Sequence, residues 1–331
     1  MDRARVLRAS SRLRRRCRGG RRGRRRGVSA REPEFSVNRA DYARDLDALR
    51  SVREPVFVEE QQVPIALEWD AFDPQCVHVL ARDRTGRPIG TGRLTPERKI
   101  GRMAVLREWR GKGVGEAMLR ALLDEAAHHR LPEVRLHAQV SALSFYAKHG
   151  FVPIGDRFME AGIEHQTMRR TLRGPTAVET REAAMAVTAA LLSATRREIW
   201  IYSRNLDPGM LDAPETLDAF RRLATRRQRI AIRMLLQDAA SPQRNSSPLI
   251  ALSQRLPSVF AFREVADPVD RDYPSAFVVN DVGGYYFRSL GHRFDGETEC
   301  DGASRARQLI DAFVPPWERA RAITEYRALG I

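Results

Sequence analysis

The chain is short of cysteine, aromatic residues and lysine. Cys17, Cys76 and Cys300 are odd in number and widely scattered over 331 residues, which suggests neither a disulfide framework nor a zinc site, so no metal is expected and a reducing cytoplasm fits best. No apolar run reaches the roughly 18 residues that a membrane span requires. A secretory signal is not expected, because no apolar core of about 7 to 15 residues follows the positive N-terminal stretch. The expectation is a soluble cytoplasmic protein with no membrane partner. Its length and its apolar fraction of 43% suffice to fill two ordinary cores.

Charge is abundant but unevenly placed. The formal charge is +15, yet residues 1–31 hold fourteen arginines against the single acid Asp2, which leaves about +2 on the remaining 300 residues. That tail has almost no apolar content and is read as disordered. Two explanations stay open. It is a polyanion-binding arm that releases counterions from phosphate backbones, or it is translated upstream sequence in an arginine-rich, lysine-poor frame with the true start near Val28. The residue usage favours the second. On the first explanation alone would nucleic acid be a partner, and then only through the tail.

Periodicity organises the rest into two α/β segments. Residues 41–52 read as a helix with Leu46, Leu49 and Val52 on one face, and 77–81, 89–94 and 99–105 as strands, the first two joined as a hairpin at Gly86 and Pro88. Val114, Met118, Leu119, Leu122, Leu123 and Ala126 repeat at helical spacing and end before Pro132. A strand at 134–139, a helix at 142–148 and strands at 151–154 and 167–170 complete the first domain. Arg173-Gly174-Pro175-Thr176 reads as a linker. Beyond it, helices at 183–194, 217–224 and 305–313 alternate with strands at 199–203, 230–236, 259–263, 276–280 and 285–287, with Pro315 and Pro316 placed behind the last helix. This is a second α/β domain.

One run carries chemistry. Arg110-Gly111-Lys112-Gly113-Val114-Gly115 lies between the short strand Met103-Ala104-Val105 and a long amphipathic helix. Glycines without Cβ atoms let successive backbone N–H groups point into one concavity at a helix N-terminus, where the macrodipole favours anions. The run is neither a P-loop, Gly-x-x-x-x-Gly-Lys-Ser/Thr, nor a Gly-x-Gly-x-x-Gly dinucleotide fingerprint. By itself it reads equally as a pyrophosphate cradle or as a glycine-rich surface turn.

The surrounding text resembles the GNAT acyltransferases. Strand, Arg-x-x-Gly-x-Gly, helix, strand at 134–139, helix with Phe145-Tyr146 and then Gly150-Phe151 follow that family's order over residues 35–173. Arg53-Glu54-Pro55-Val56-Phe57-Val58-Glu59-Glu60-Gln61, Ile100-Gly101-Arg102-Met103-Ala104-Val105, Ala138-Gln139-Val140 and Ala161-Gly162-Ile163-Glu164-His165 are similar to its ElaA-like branch. The resemblance implies a mixed, splayed sheet flanked by helices, with acetyl-coenzyme A as co-substrate and an amine-bearing small molecule or protein as acceptor. It leaves room for a homodimer.

It also implies roles for individual residues. Arg110, Gly111, Lys112, Gly113, Val114 and Gly115 would cradle the pyrophosphate. Met103, Ala104 and Val105 would run beside the pantetheine arm, and Gln139 stands where many relatives carry an asparagine that contacts it. Tyr146 occupies the position of the tyrosine that protonates the departing thiolate. Glu60, His137 and His165 are the candidates for a general base, if a dedicated base exists. Glu68, Asp70 and Asp73 read as a solvated acidic loop; lining the acceptor cleft, they would favour a cationic amine such as a polyamine, an aminoglycoside or a lysine side chain.

Residues 177–331 faintly resemble phospholipase D-like domains. Setting Asp281 as the acid of the His-x-Lys-x-x-x-x-Asp motif puts Pro274 and Ala276 where histidine and lysine belong. Without an imidazole there is no nucleophile, so the expectation is either a catalytically silent relative used for binding or pairing or an unrelated α/β accessory domain. The competing classes for the whole chain are a nucleic-acid-associated protein and a non-catalytic acyl-coenzyme A sensor.

Overall fold

Period-two burial writes the first sheet. On β-strand residues 133–139, Val134, Leu136 and Ala138 are buried, while Arg135 is exposed and His137 and Gln139 are half-buried, as a sheet with two unlike faces requires. The computed structural model describes residues 34–327; the arginine-rich segment 1–31 lies outside them. The elements in order are β1 (Phe35–Ala40), α1 (Leu46–Arg53), α2 (Ile65–Glu68), β2 (Val77–Asp83), β3 (Pro88–Leu94), β4 (Lys99–Val105), α3 (Val114–His128), β5 (Glu133–Gln139), α4 (Leu143–Lys148), β6 (Val152–Glu160) and β7 (Ile163–Thr171). They form a seven-stranded mixed sheet of order β1-β2-β3-β4-β5-β7-β6. Helix α3 covers one face through Met118, Leu119 and Leu122, packed with Val79 and Ala81, while Leu80 between them points the other way to Leu49 of α1.

Two features differ from the sequence expectation in this half. The helix expected at 41–52 starts at Leu46 and passes into a π-helical segment, Glu54–Glu60; the switch falls at Pro55, which has no N–H to give to the preceding turn. The late strands run longer than expected, and β6 and β7 form a hairpin whose tip is Ala161-Gly162, both with positive φ.

The acidic segment is not a solvated loop. Glu68 and Asp73 are buried, and the fully buried Arg53 ties them together: its Nε donates to Glu68 Oε1 at 2.5 Å and its two terminal nitrogens donate to Asp73 at 3.0 and 3.1 Å. Arg93 clamps Asp70 at 3.0 and 2.6 Å and also reaches Asp73 at 2.6 Å. Arg102 pairs with Glu68 at 3.3 Å and Asp70 at 3.5 Å. Three guanidiniums thus neutralise three carboxylates, which is what makes burial of the charges tolerable.

That network seats a bulge in β4. Arg93 pairs with Gly101 and Thr91 with Ala104, so β4 spends one residue more than β3 between them. Arg102, inside the bulge, has φ 51, a left-handed conformation that costs a side-chain-bearing residue roughly 1–2 kcal/mol. Its guanidinium donates to the carbonyls of Glu68 (3.1 Å) and Leu67 (2.8 Å). Beyond this point β4 leaves its neighbour: the parallel β4–β5 ladder comprises only Lys99↔Arg135 and Ile100↔Leu136.

The second half alternates as expected but with more pieces: β8 (Thr176–Val178), α5 (Arg181–Ala194), β9 (Glu198–Ser203), α6 (Pro214–Ala224), β10 (Ala231–Leu236), α7 (Ala240–Arg244), α8 (Pro248–Arg255), β11 (Phe260–Glu264), α9 (Pro268–Arg271), β12 (Ala276–Asn280), β13 (Tyr285–Arg288), β14 (Gly296–Glu299), α10 (Ala303–Arg319) and β15 (Arg321–Ala322). Its eight-stranded sheet has the order β15-β11-β10-β9-β12-β13-β14-β8. The expected linker runs straight into this sheet, since Thr176 already pairs with Thr298 in β14. Helix α10 continues through Pro315 and Pro316; a stop was expected there. The buried Phe313 and the half-buried Trp317, stacked at 5.3 Å, pack this last stretch onto the sheet.

The network makes acid stability predictable. Arg93 holds the Asp70 carboxyl at about 2, below its ordinary 3.8, and Arg53 and Arg93 together keep Asp73 low against the opposing effect of burial. A lowered carboxyl stabilises the fold above its unfolded value and loses that contribution as pH falls through its folded value. Circular dichroism is expected to show this stabilisation intact above about pH 4 and lost towards pH 2, and Asp70→Asn to flatten that dependence.

Candidate functional site

The glycine run adopts the geometry of an anion nest. Gly111 and Gly113 have φ 75 and 85, and Gly113 is the N-cap of α3; alternating handedness of this kind turns neighbouring N–H groups into one concavity. The first bond closing the helix is Ala117 N–H to Gly113 O at 3.0 Å, so the N–H groups of Val114, Gly115 and Glu116 have no acceptor from the preceding turn. A Cβ added at Gly111 or Gly113 would meet nothing within 4 Å. One added at Gly115 would lie 3.9 Å from Val105 and 3.8 Å from Phe145, in the gap between the end of β4 and α4. The cradle therefore opens onto the splay.

The two cationic side chains of the run are already engaged. Arg110 makes a two-pronged pair with Glu60 at 2.6 and 2.8 Å, and its Nε donates to Val105 O at 3.0 Å. Lys112 Nζ sits 4.7 Å above the Trp109 ring. Among the described residues, the backbone N–H groups of Val114, Gly115 and Glu116 are left without a backbone acceptor there. Glu60, which the π-helical segment places here, is held below its ordinary carboxyl range by the Arg110 hydrogen bonds. An engaged, weakly basic carboxylate is a poor proton acceptor.

Tyr146 projects from α4, directly after the splayed strand. Its half-buried ring meets Phe145 at 4.9 Å and Phe151 at 5.9 Å, both edge-on. Burial pushes the phenol up to about 12, and among the described residues its hydroxyl has no hydrogen-bond partner. The helix is braced from behind. Arg170 of β7 donates to His149 O at 2.7 Å and lies 3.6 Å from Asp301, while Gly150, with φ 78, leaves room for Cys300, whose sulfur a Cβ there would meet at 3.0 Å. Helix α5 packs on α4, and a cavity of about 40 Å³ lined by Gly150, Val187, Ala190, Asn280 and Cys300 lies at the seam.

On the other arm of the splay, His137 Nδ1 is 3.0 Å from Glu160 Oε2 and 3.1 Å from Lys99 Nζ. One nitrogen cannot donate to the carboxylate and accept from the ammonium together, so the two neighbours select opposite tautomers. Glu160 is buried enough to raise its carboxyl, but His137 and Lys99 outweigh that and hold it low. Gln139 donates to Gln61 at 3.0 Å, linking β5 to the end of the π-helical segment. His165 is buried, with Nδ1 2.8 Å from Ile163 O and its ring stacked on Phe158.

The structure thus brings Met103, Ala104, Val105, Gly111, Gly113, Gly115 and Tyr146 around one gap, with His137 and Gln139 on its β5 arm. It leaves Glu60 at the rim and His165 in the sheet. Gln61, Lys99, Glu160 and Arg170 were not anticipated; their contacts with Gln139, His137 and His149 span tens of residues, and no local pattern marks them. Among the described residues, no group of three His, Cys, Asp or Glu side chains could hold a metal. In the second half, Asp281 accepts the backbone N–H groups of Arg196 and Arg197 at 2.9 and 2.7 Å, a structural staple.

A model described as an acetyltransferase (GNAT) domain matches residues 55–172, and one described as a domain of unknown function matches 180–329. The phospholipase D-like resemblance finds no support in these matches. The uncharacterized N-acetyltransferase YjcF of Bacillus subtilis is 37% identical over 123 residues, 36% of this chain and 87% of that protein. The uncharacterized protein YyaT of the same organism is 33% identical over 144 residues, 42% and 97% of the two chains. Among solved structures, ElaA of Escherichia coli is 27% identical, with 41% of this chain and 99% of that chain covered and a TM-score of 0.38.

The brace behind α4 can be tested alone. Arg170→Met leaves the part-buried His149 carbonyl without its donor, an orphan worth about 1–3 kcal/mol. Urea unfolding should show a loss of that size, and amide exchange should speed up at residues 149–151.

Proposed function

The chain belongs to the GNAT acetyltransferase family, and from that premise we propose that it moves an acetyl group from acetyl-coenzyme A to a primary amine. One observation carries the reading: the β4–β5 ladder ends after two residue pairs, and the nest of free N–H groups opens onto the gap so formed. A diphosphate fits that nest, because it brings negative charge and many acceptors to donors that have none. The chain divides on this reading into a tail (1–31), an acyltransferase domain (35–173) and an accessory domain (177–331), working in the cytoplasm.

Bound acetyl-coenzyme A would supply an activated acyl thioester. Residues Gly111 to Glu116 hold its diphosphate through backbone N–H groups, and the unpaired edge of Met103, Ala104 and Val105 lies along the pantetheine arm. Arg110 acts indirectly, fixing the end of β4 to Glu60. Holding the reactants together accounts for several kcal/mol of the barrier. Tyr146 is the proton donor to the leaving thiolate. A phenol raised to about 12 keeps its proton at neutral pH, and the same dry surroundings raise the basicity of a thiolate beside it, so the transfer stays near balance.

His137 is the stronger of the base candidates. With Nδ1–H donated to Glu160, Nε2 is left as an acceptor for the amine proton; Lys99 opposes that tautomer. Glu60 is spent on Arg110, and His165 is buried with its Nδ1 turned to a carbonyl.

Binding and turnover separate the enzyme from an acyl-coenzyme A sensor. Gly113→Val forces a β-branched residue to φ 85, and Gly115→Leu fills the space towards Val105 and Phe145; calorimetry is expected to show acetyl-coenzyme A affinity falling at least about 10-fold in each, a cost of about 1.4 kcal/mol or more. Unchanged affinity removes the cradle. Tyr146→Phe is expected to lower kcat by about 10²-fold or more in a thiol-release assay with an amine panel, leaving cofactor affinity intact. Full turnover in that variant returns Tyr146 to packing.

A further inference from the structure

The second half presents a concavity of about 720 Å³ lined by Arg196, Arg197, Glu198, Gln228, Arg229, Ala231 and Arg233. Four of the lining residues are arginines and one is acidic, Glu198, which already lies 3.2 Å from Arg233. Among the described residues, the guanidiniums of Arg196, Arg197 and Arg229 have no carboxylate partner, the nearby Asp281 carboxylate being taken by backbone N–H groups, and all three residues are exposed. Most arginines elsewhere on this sheet are engaged with an acid, an aromatic ring or a carbonyl. Here the charge is left over.

Both walls of the concavity are pinned. The Asp281 carboxylate takes the N–H groups of Arg196 and Arg197 at 2.9 and 2.7 Å. Arg226 donates to the carbonyls of Thr195 and Ser193, at 2.5 and 2.7 Å, tying the 226–229 segment to the end of α5. The arginines therefore rise from a fixed frame at the N-terminal edge of β9 and β10, adjacent parallel strands. Less ordering cost is incurred when a ligand binds such a frame.

The lining decides the ligand class. Guanidiniums recognise phosphate oxygens through paired N–H donors. A small phosphorylated metabolite would be met by an enclosed pocket with an apolar wall, but this concavity is open, its lining is polar except for Ala231, and Arg196, Arg197, Gln228 and Arg229 are exposed. It has no aromatic ring on which a base could stack. Phosphates without base contacts mean positioning rather than sequence readout.

We propose that this arginine concavity is a sequence-independent binding surface for the phosphate backbone of a nucleic acid, separate from the acyltransferase gap and from the N-terminal tail. The test uses the full chain, so the tail is present in every sample. Fluorescence anisotropy with a labelled random-sequence oligonucleotide is run across a salt series for wild type and for the variant Arg196→Gln/Arg197→Gln/Arg229→Gln, with equal melting temperatures as the folding control. The substitutions are exposed and keep a polar chain at each site. Affinity in the variant is expected to fall at least about 10-fold, and the slope of log affinity against log salt to drop by about 2 to 3, near one per lost phosphate contact. Wild-type affinity and slope in the variant assign all binding to the tail or another surface and overturn the proposal. Displacement of the oligonucleotide by millimolar inorganic phosphate, beyond the effect of sodium chloride at matched ionic strength, overturns it in favour of a small-phosphate site.

Discussion

Arg102 is the constraint on which the first half turns. A side-chain-bearing residue at φ 51 in the middle of a strand is held only because its surroundings over-determine it, and the surroundings are the buried carboxylates with their guanidiniums. Arg53 reaches Glu68 and Asp73, Glu68 reaches Arg102, and the carbonyls of Leu67 and Glu68 complete the grip. The bulge so fixed lets β4 part from β5, and the parting leaves the gap. Charge neutralised inside the fold thus produces an opening at its surface.

The gap is shaped by two further devices. Glycines at 111 and 113 set the backbone donors of α3 at its mouth, and α4 sets Tyr146 behind it. The second half contributes physically, since α5 lies under α4 and Arg170 bridges from His149 to Asp301. Val152 of the first sheet belongs to the second core and Ala190 of α5 packs against the first. An acyltransferase helix braced by neighbouring sequence has its tyrosine position set in part from outside its own sheet.

Much of this could be read from residues alone where the signal is local. The spacing of Val114, Met118, Leu119 and Leu122 specifies α3 and the run Lys99 to Val105 specifies β4, whereas Gly-x-Gly before a helix marks a tight turn there without by itself choosing between a nest and a surface turn. The acidic cluster could not be read correctly, because what distinguishes a buried carboxylate from a solvated one is a partner far along the chain: Arg53 lies 15 and 20 residues from Glu68 and Asp73. Glu160 and Gln61 escaped for the same reason. Pro315 and Pro316 misled in the other direction, since packing of Phe313 and Trp317 carries α10 past a local stop.

Amide hydrogen exchange with and without acetyl-coenzyme A tests the central claim most directly. Protection is expected at Gly111 to Glu116 and at Met103 to Val105, with residues 196–233 unchanged. Exchange at the nest and at β4 that is indifferent to saturating acetyl-coenzyme A contradicts the account.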